Sequence, residues 1–358
     1  MARKKLVFSI AGGTLLLLVV ASVIFIGITK QKIEMQVTDQ LDQAILQAQL
    51  EDVVSYETIN ISSLQGQLEI NGIKYDDDIY LLTADSIIVE MPVKEILSLA
   101  KNPENTEITD VSIQLKGLNF VDESQNLTFN QDEWTMMFLG NIHTGLFSER
   151  RDEILTEYDP GISMISIESS GSRFMTPMGD MSLGNFQFES KGDLKLSNVE
   201  LADSSGDYSS LYTSLESVSF IFSDYAFVLV DEIRDELLMR VSMLFGPLPF
   251  LEDPENWKIE EFALSGGITQ GQAEVRDVTL KTNWIDIHAN TSIGVSDNLE
   301  PIPPLDIQVS VNEYTESLRS LFEMMAYQLA ESELPEGKSF TFNFTISDVD
   351  SVPKIVIK

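Results

Sequence analysis

Cysteine is absent from the 358 residues, and histidine occurs only twice. The first absence excludes disulfides, thiolate metal sites, a cysteine nucleophile and the acylated cysteine of a lipoprotein. The second, together with the lack of any H-E-x-x-H, argues against a transition-metal centre. His143 follows the apolar stretch Phe138-Leu139-Gly140-Asn141-Ile142 and His288 lies near Trp284, so both read as structural residues. Basic residues are scarce as well: 23 Lys and Arg stand against 57 Asp and Glu, for a net charge of −34. Arg3, Lys4, Lys5, Lys30 and Lys32 all precede the first acid, so the rest of the chain is more acidic still. Such a surface repels nucleic acid and anionic headgroups, which removes a DNA- or RNA-binding role. The acids are spread along the chain, as a solubilising surface requires.

Catalytic signatures are missing too. No G-x-S-x-G elbow, P-loop or Rossmann glycine pattern occurs, and Ser169-Ser170-Gly171-Ser172 reads as a turn. Asp76-Asp77-Asp78 lacks the spacing of an EF-hand and reads as a solvated hairpin turn. Carboxylates are so common that no pair stands out as acid and base. We expect no enzyme activity, no metal and no cofactor.

Long apolar runs are confined to one place. Leu6–Ile28 contains no charge and, at about 23 residues, is long enough to cross a bilayer as a helix. Arg3, Lys4 and Lys5 before it place the N-terminus in the cytoplasm and the bulk of the chain outside it. The rival is a cleaved signal peptide, but no small-x-small site ends the run. The expected organisation is a cytoplasmic tail (1–5), a transmembrane anchor (6–28), a helical stalk (29–55), a β-rich region with capping helices (56–250) and a second β-rich region with one long helix (251–358). Gly246 with Pro247, Pro249 and Pro254 marks the linker.

In the stalk, Ile33, Val37, Leu41, Ile45 and Leu46 recur at helical spacing. Beyond it the period becomes two. Strands are expected over Ile108–Leu118, Ile162–Glu168, Asn185–Glu189, Leu215–Phe222, Ile285–Ala289, Leu305–Val311, Phe340–Ile346 and Val352–Ile357. Helices are expected after Pro92 (Val93, Ile96, Leu97, Leu99), over Phe227–Leu244 (Val230, Ile233, Leu237, Val241, Leu244) and over Asn312–Ala330 (Leu318, Leu321, Phe322, Met325, Leu329). Each carries an apolar stripe suited to covering a sheet. The fold class is therefore mainly β (α+β): a transmembrane helix, then curved antiparallel sheet with bulged strands, capped by a few amphipathic helices.

One phrase recurs three times with the same spacing: Gly66, Leu68, Ile70, Ile73, Tyr75; then Gly192, Leu194, Leu196, Val199, Leu201; then Gly271, Ala273, Val275, Val278, Leu280. The apolar residues alternate, slip by one, and alternate again. A β-bulge at Asn71-Gly72, Ser197-Asn198 and Arg276-Asp277 would keep all of them on one concave face, with the leading glycine in a turn. Leu68, Ile70, Ile73, Leu194, Leu196, Val199, Val275, Val278 and Leu280 are thus the candidate lipid-groove residues. Each copy is followed by another β-rich run, as in a hairpin: Thr83–Met91, Leu215–Phe222 and Ile285–Val295.

With the anchor, the phrases Gly66-Gln67-Leu68-Glu69-Ile70-Asn71-Gly72-Ile73 and Leu82-Thr83-Ala84-Asp85-Ser86-Ile87-Ile88-Val89 resemble the opening of AsmA-like envelope proteins. Gly271–Leu280 looks like the corresponding C-terminal element. The resemblance implies an inner-membrane protein that projects curved β-sheet into the periplasm and handles lipid in an apolar groove. Asp122–Gly184 has no counterpart in that pattern. The expected partners are the membrane, lipid acyl chains and other envelope proteins. A closed structural module acting through protein partners is the alternative, and a hydrolase with a polar pocket is a distant third.

Overall fold

The computed structural model describes residues 38–39, 41–43, 45–46, 50–62, 66–77, 79–102, 106–144, 161–195, 215–245, 252, 257–269, 272–295, 301–347 and 354–358. The expected anchor, Leu6–Ile28, lies outside them, as do most of the Gly246–Pro254 linker and the slip Ser197-Asn198. Among the described residues no helix is long and apolar enough to cross a membrane.

The protein is mainly β, with one large antiparallel sheet and few helices. Its strands are β1 (Val54–Ser55), β2 (Thr58–Ser62), β3 (Gln67–Asp76), β4 (Tyr80–Glu90), β5 (Glu107–Asp122), β6 (Leu127–His143), β7 (Gly161–Thr176) and β8 (Gly179–Lys195). They continue as β9 (Leu215–Leu229), β10 (Lys258–Thr269), β11 (Gln272–Thr282), β12 (Ile285–Val295), β13 (Pro301–Tyr314), β14 (Phe340–Ile346) and β15 (Lys354–Ile357). Helices α1 (Val93–Lys101), α2 (Asp231–Phe245) and α3 (Arg319–Ala330) follow β4, β9 and β13. The sheet is a meander in which sequence neighbours pair, except that β1 and β2 both pair with β3. Contacts divide the chain into two units: Met1–Ser124 with Asp132–Ile162, and Gln125–Gln131 with Ser163–Lys358.

In the first unit, Leu68, Ile70 and Ile73 of β3 pack with Ala84, Ile87 and Val89 of β4, Ile61 of β2 and Ile113 of β5. Residues 41–43 and 45–46 are helical, and Leu41 and Ile45 complete this core at 2% and 8% exposure. The end of the stalk is thus a lid on the sheet rather than a free polar helix. The slip in β3 is real but is not the expected bulge. Ile70 pairs with Ile87 and Ile73 with Ala84 without any change of register. The three-residue spacing of Ile70 and Ile73 is matched by Ala84 and Ile87 in β4, and again by Leu115 and Leu118 in β5, all in this core. Neighbouring strands slip together, so none needs an extra residue. Gly72 and Gly117, at φ of +63° and +61°, supply the left-handed backbone where they do so.

The β3–β4 turn is built as its sequence implies: the Asp77 carboxylate accepts the Ile79 and Tyr80 amides at 3.2 and 2.7 Å. Helix α1 is anchored by its buried Glu95, which accepts the Thr109 amide (3.1 Å) and hydroxyl (2.5 Å).

In the second unit, Ser169-Ser170-Gly171-Ser172 is not a turn but the middle of β7. Gln131 of β6 is the reason: its amide donates to the Ser170 carbonyl and accepts the Ser172 hydroxyl, both at 2.8 Å. That holds the strand extended across Gly171, whose φ is +64°. Helix α3 behaves as its stripe implies. Leu318 and Phe322 are 1% and 6% exposed and pack on Ile285, Val311, Phe340 and Phe342, with Leu321 and Met325 beside them. Asn312–Tyr314, expected at the start of that helix, complete β13 instead. Helix α2 does not behave as its stripe implies. Phe227–Leu229 finish β9, and no residue of Asp231–Met243 is buried.

Candidate functional site

Pairing in the second unit places one residue of each strand in transverse rows whose side chains share a face. One row runs Phe186, Phe222, Phe262, Leu280, Ile287, Val311 and Phe340, from β8 to β14. The next runs Phe188, Phe220, Leu264, Val278, Ala289, Val309, Phe342 and Ile357, ending on β15. A third, Ser190, Val218, Gly266, Val275, Thr291, Ile307, Phe344 and Ile355, is apolar apart from Ser190 and Thr291. The bulge expected at Arg276-Asp277 makes this possible: Asp277 pairs with Ser265 but Val275 with Gly266, so β11 carries one extra residue. Pairing with β12 shifts at the same place.

Coverage differs along these rows. Over β13 and β14, Val311 and Phe340 of the first row and Phe342 of the second are 2–5% exposed beneath α3, while Ile287, Ala289 and Val309 beside them are half-buried. Over β8–β11, Phe186, Phe188, Phe220, Phe222, Phe262, Val278 and Leu280 are half-buried and Leu264 is 38% exposed. The rings partly cover one another. Phe222 stacks on Phe262 at 5.1 Å, and Phe220 meets Phe186 edge-on at 5.2 Å and Phe262 at 6.0 Å.

The other face of these strands is polar. The row between the first two reads Gln187, Ile221, Ala263, Thr279, His288, Ser310 and Thr341. His288 Nδ1 lies 3.0 Å from Asp277, whose carboxylate also accepts the Thr279 hydroxyl. Lys281 is held above its ordinary pKa, first by its hydrogen bond to Glu260 and then by that carboxylate's charge. Among the described residues no group of three His, Asp or Glu side chains is placed to hold a metal ion.

The sequence-picked residues therefore separate. Val275, Val278 and Leu280 lie together on the half-open face, one in each row. Leu68, Ile70 and Ile73 lie in the first unit's core, at 2–6% exposure, where the protein's own side chains fill the space. Leu194 falls in β8 and Gly192 at a change of register there, while Leu196, Val199 and Gly271 lie outside the described residues. Gly66 adopts φ +70°, and its carbonyl accepts the Met91 amide at 2.9 Å. Sequence reasoning missed the phenylalanines. Their signal was the alternation Phe186/Phe188 and Phe220/Phe222, which had served only to mark strands.

No family model, curated protein or solved structure matches this chain.

Proposed function

We propose that this is a non-enzymatic membrane protein, anchored through Leu6–Ile28, whose apolar sheet face over β8–β11 holds lipid acyl chains outside the cytoplasm. The observation that carries the reading is the contrast within the first two rows: Val311, Phe340 and Phe342 are sealed under α3 at one end, and a cluster of phenylalanines is half open at the other. A continuous apolar surface on so acidic a chain calls for an apolar occupant. Hydrocarbon suits it, because the rings offer no hydrogen-bonding group and contact any chain non-directionally. The bulge at Arg276 bends and twists β11, which favours a concave face. The surrounding acids favour neutral or zwitterionic lipids over anionic ones. An inner-membrane anchor and lipid handling are also what the AsmA-like resemblance implies.

The sealed core around Leu68, Ile70 and Ile73 favours a second reading, a structural module acting through other envelope proteins. Mass spectrometry of residues 33–358, purified without detergent and extracted with organic solvent, separates the two. Lipid retained by the parent and lost from a folded Leu264→Asp variant supports the first reading. A lipid-free protein that takes up none from vesicles supports the second.

A further inference from the structure

Helices α1, α2 and α3 each come next after a strand, α3 through the 3-10 turn Glu316–Leu318, and two of them seal apolar surface. Ile96 of α1 packs against Met91 and Ile108. Helix α3 covers the β12–β14 ends of the apolar rows. Helix α2 follows β9, the strand that supplies Phe220 and Phe222, after the single residue Val230. The Val230 amide is tied to the Met178 carbonyl at 3.1 Å. The stripe of α2 (Val230, Ile233, Leu237, Val241 and Leu244) falls on one side at helical spacing. Among its described side chains none is buried: Val230 and Leu237 are each 41% exposed, and Ile233 and Val241 are half-buried. In length it suits the open face. Its 15 residues span about 22 Å, whereas four strands span about 14 Å.

A half-exposed apolar stripe one residue from a half-open apolar face in the same unit is a matched pair. We propose that α2 is a lid that closes over the β8–β11 face once a lipid chain lies on it, turning about Val230. The inference rests on the acyl-chain reading above and adds the regulation of that site. A bound chain supplies the apolar layer that stripe and face both lack, so closure and binding stabilise each other. At the other end of the first two rows Leu318 and Phe322, 1% and 6% exposed, already fill the equivalent layer.

Because the chain has no cysteine, two introduced thiols can be spin-labelled without background. Met239→Cys lies on the side of α2 away from the stripe, and Lys281→Cys lies on the polar face of β11, so neither touches the proposed contact. The labelled full chain is stripped of lipid, held in a fluorocarbon amphipol, and measured by pulsed electron resonance before and after adding monoolein. Extraction and mass spectrometry count the monoolein bound. The expected result is a shorter, narrower distance distribution on binding, with Leu237→Gln abolishing the shift and weakening binding about tenfold. Binding with no change in distance overturns the lid and leaves the acyl-chain reading standing. A short distance in both samples with no monoolein bound makes α2 a fixed cover and overturns both. No binding and no change also overturns both.

Discussion

Val275 and Val278 project from the same face of β11 although they stand three residues apart. Val275 pairs with Gly266 and Val278 with Leu264, and the extra residue at Arg276 absorbs the difference. In a regular strand residues three apart face opposite sides, and one of the two would join Thr279 and His288 on the other face.

Deleting Arg276 should therefore keep the faces as they are, because Val275, Asp277 and Val278 would then match Gly266, Ser265 and Leu264 one for one. One alanine inserted between Val278 and Thr279 should instead turn half of β11 over, so that Leu280 or Val278 exchanges faces with polar residues. The expected cost of the insertion is about 2–4 kcal/mol, read from the denaturant midpoint. Arg276→Ala keeps the spacing and loses only an exposed pair with Glu274 (3.1 Å). It should cost less than about 1 kcal/mol. Equal costs for the insertion and for Arg276→Ala would mean that the spacing of the apolar residues does not matter.

Gly66 and Gly72 both have positive φ, +70° and +63°, yet they should respond differently to alanine. A β-carbon at Gly66 meets the backbone carbonyl of Met91, whereas one at Gly72 meets the side chain of Glu57. The glutamate can swing away and the carbonyl cannot. Gly72→Ala should cost about 1 kcal/mol and Gly66→Ala at least about 2, as measured by thermal or denaturant unfolding.

The two ends of the apolar rows should differ in their response to truncation. Phe322 is 6% exposed beneath α3, and Phe322→Ala should cost about 3–5 kcal/mol. Leu264, at 38% exposure, should cost less than about 1.5 kcal/mol as alanine in lipid-free protein. A large loss at Leu264 would show that the face is already covered.

Much of this was legible in the sequence, and the reasons for the failures are local. Period-two runs located β12, β13 and β14, and the Arg276-Asp277 slip was found from spacing alone. The β6 strand went unread because Met136–Leu139 is continuously apolar, and β10 because its pairing shifts between Ile259 and Glu261 and it carries Gly266-Gly267. Ser169–Ser172 looked like a turn because the residue that straightens it, Gln131, is 39 positions away from Ser170. The slip in β3 looked like a bulge because one strand cannot reveal that β4 slips with it. Helix α2 shows the limit from the other side: its stripe is plain in the sequence, but a stripe does not say what it meets.

Two tyrosines should ionise late. Burial, then a 2.8 Å hydrogen bond to Asp77, pushes Tyr75 up to about 12. Burial, then the bond to Asp42, raises Tyr56 as well. A raised folded value means that the neutral phenol is favoured in the native state. The stabilisation from Tyr75 is thus complete below pH 10 and lost as pH climbs from about 10 to about 12. Absorbance titration of the nine tyrosines should show a late component that shrinks in Tyr75→Phe and in Tyr56→Phe. The Tyr75→Phe protein should also lose less stability across that range.

The central claim is that the β8–β11 face meets acyl chains. It is tested most directly by placing a photoreactive benzophenone residue at Phe262, on that face, and in a second protein at Ile221, on the opposite one. Both full chains are irradiated in native membranes, and the adducts are identified by mass spectrometry. Lipid attached at position 262 and absent at 221 is the predicted result. No lipid at 262, or a protein adduct there, would contradict the account and leave the sheet as a scaffold.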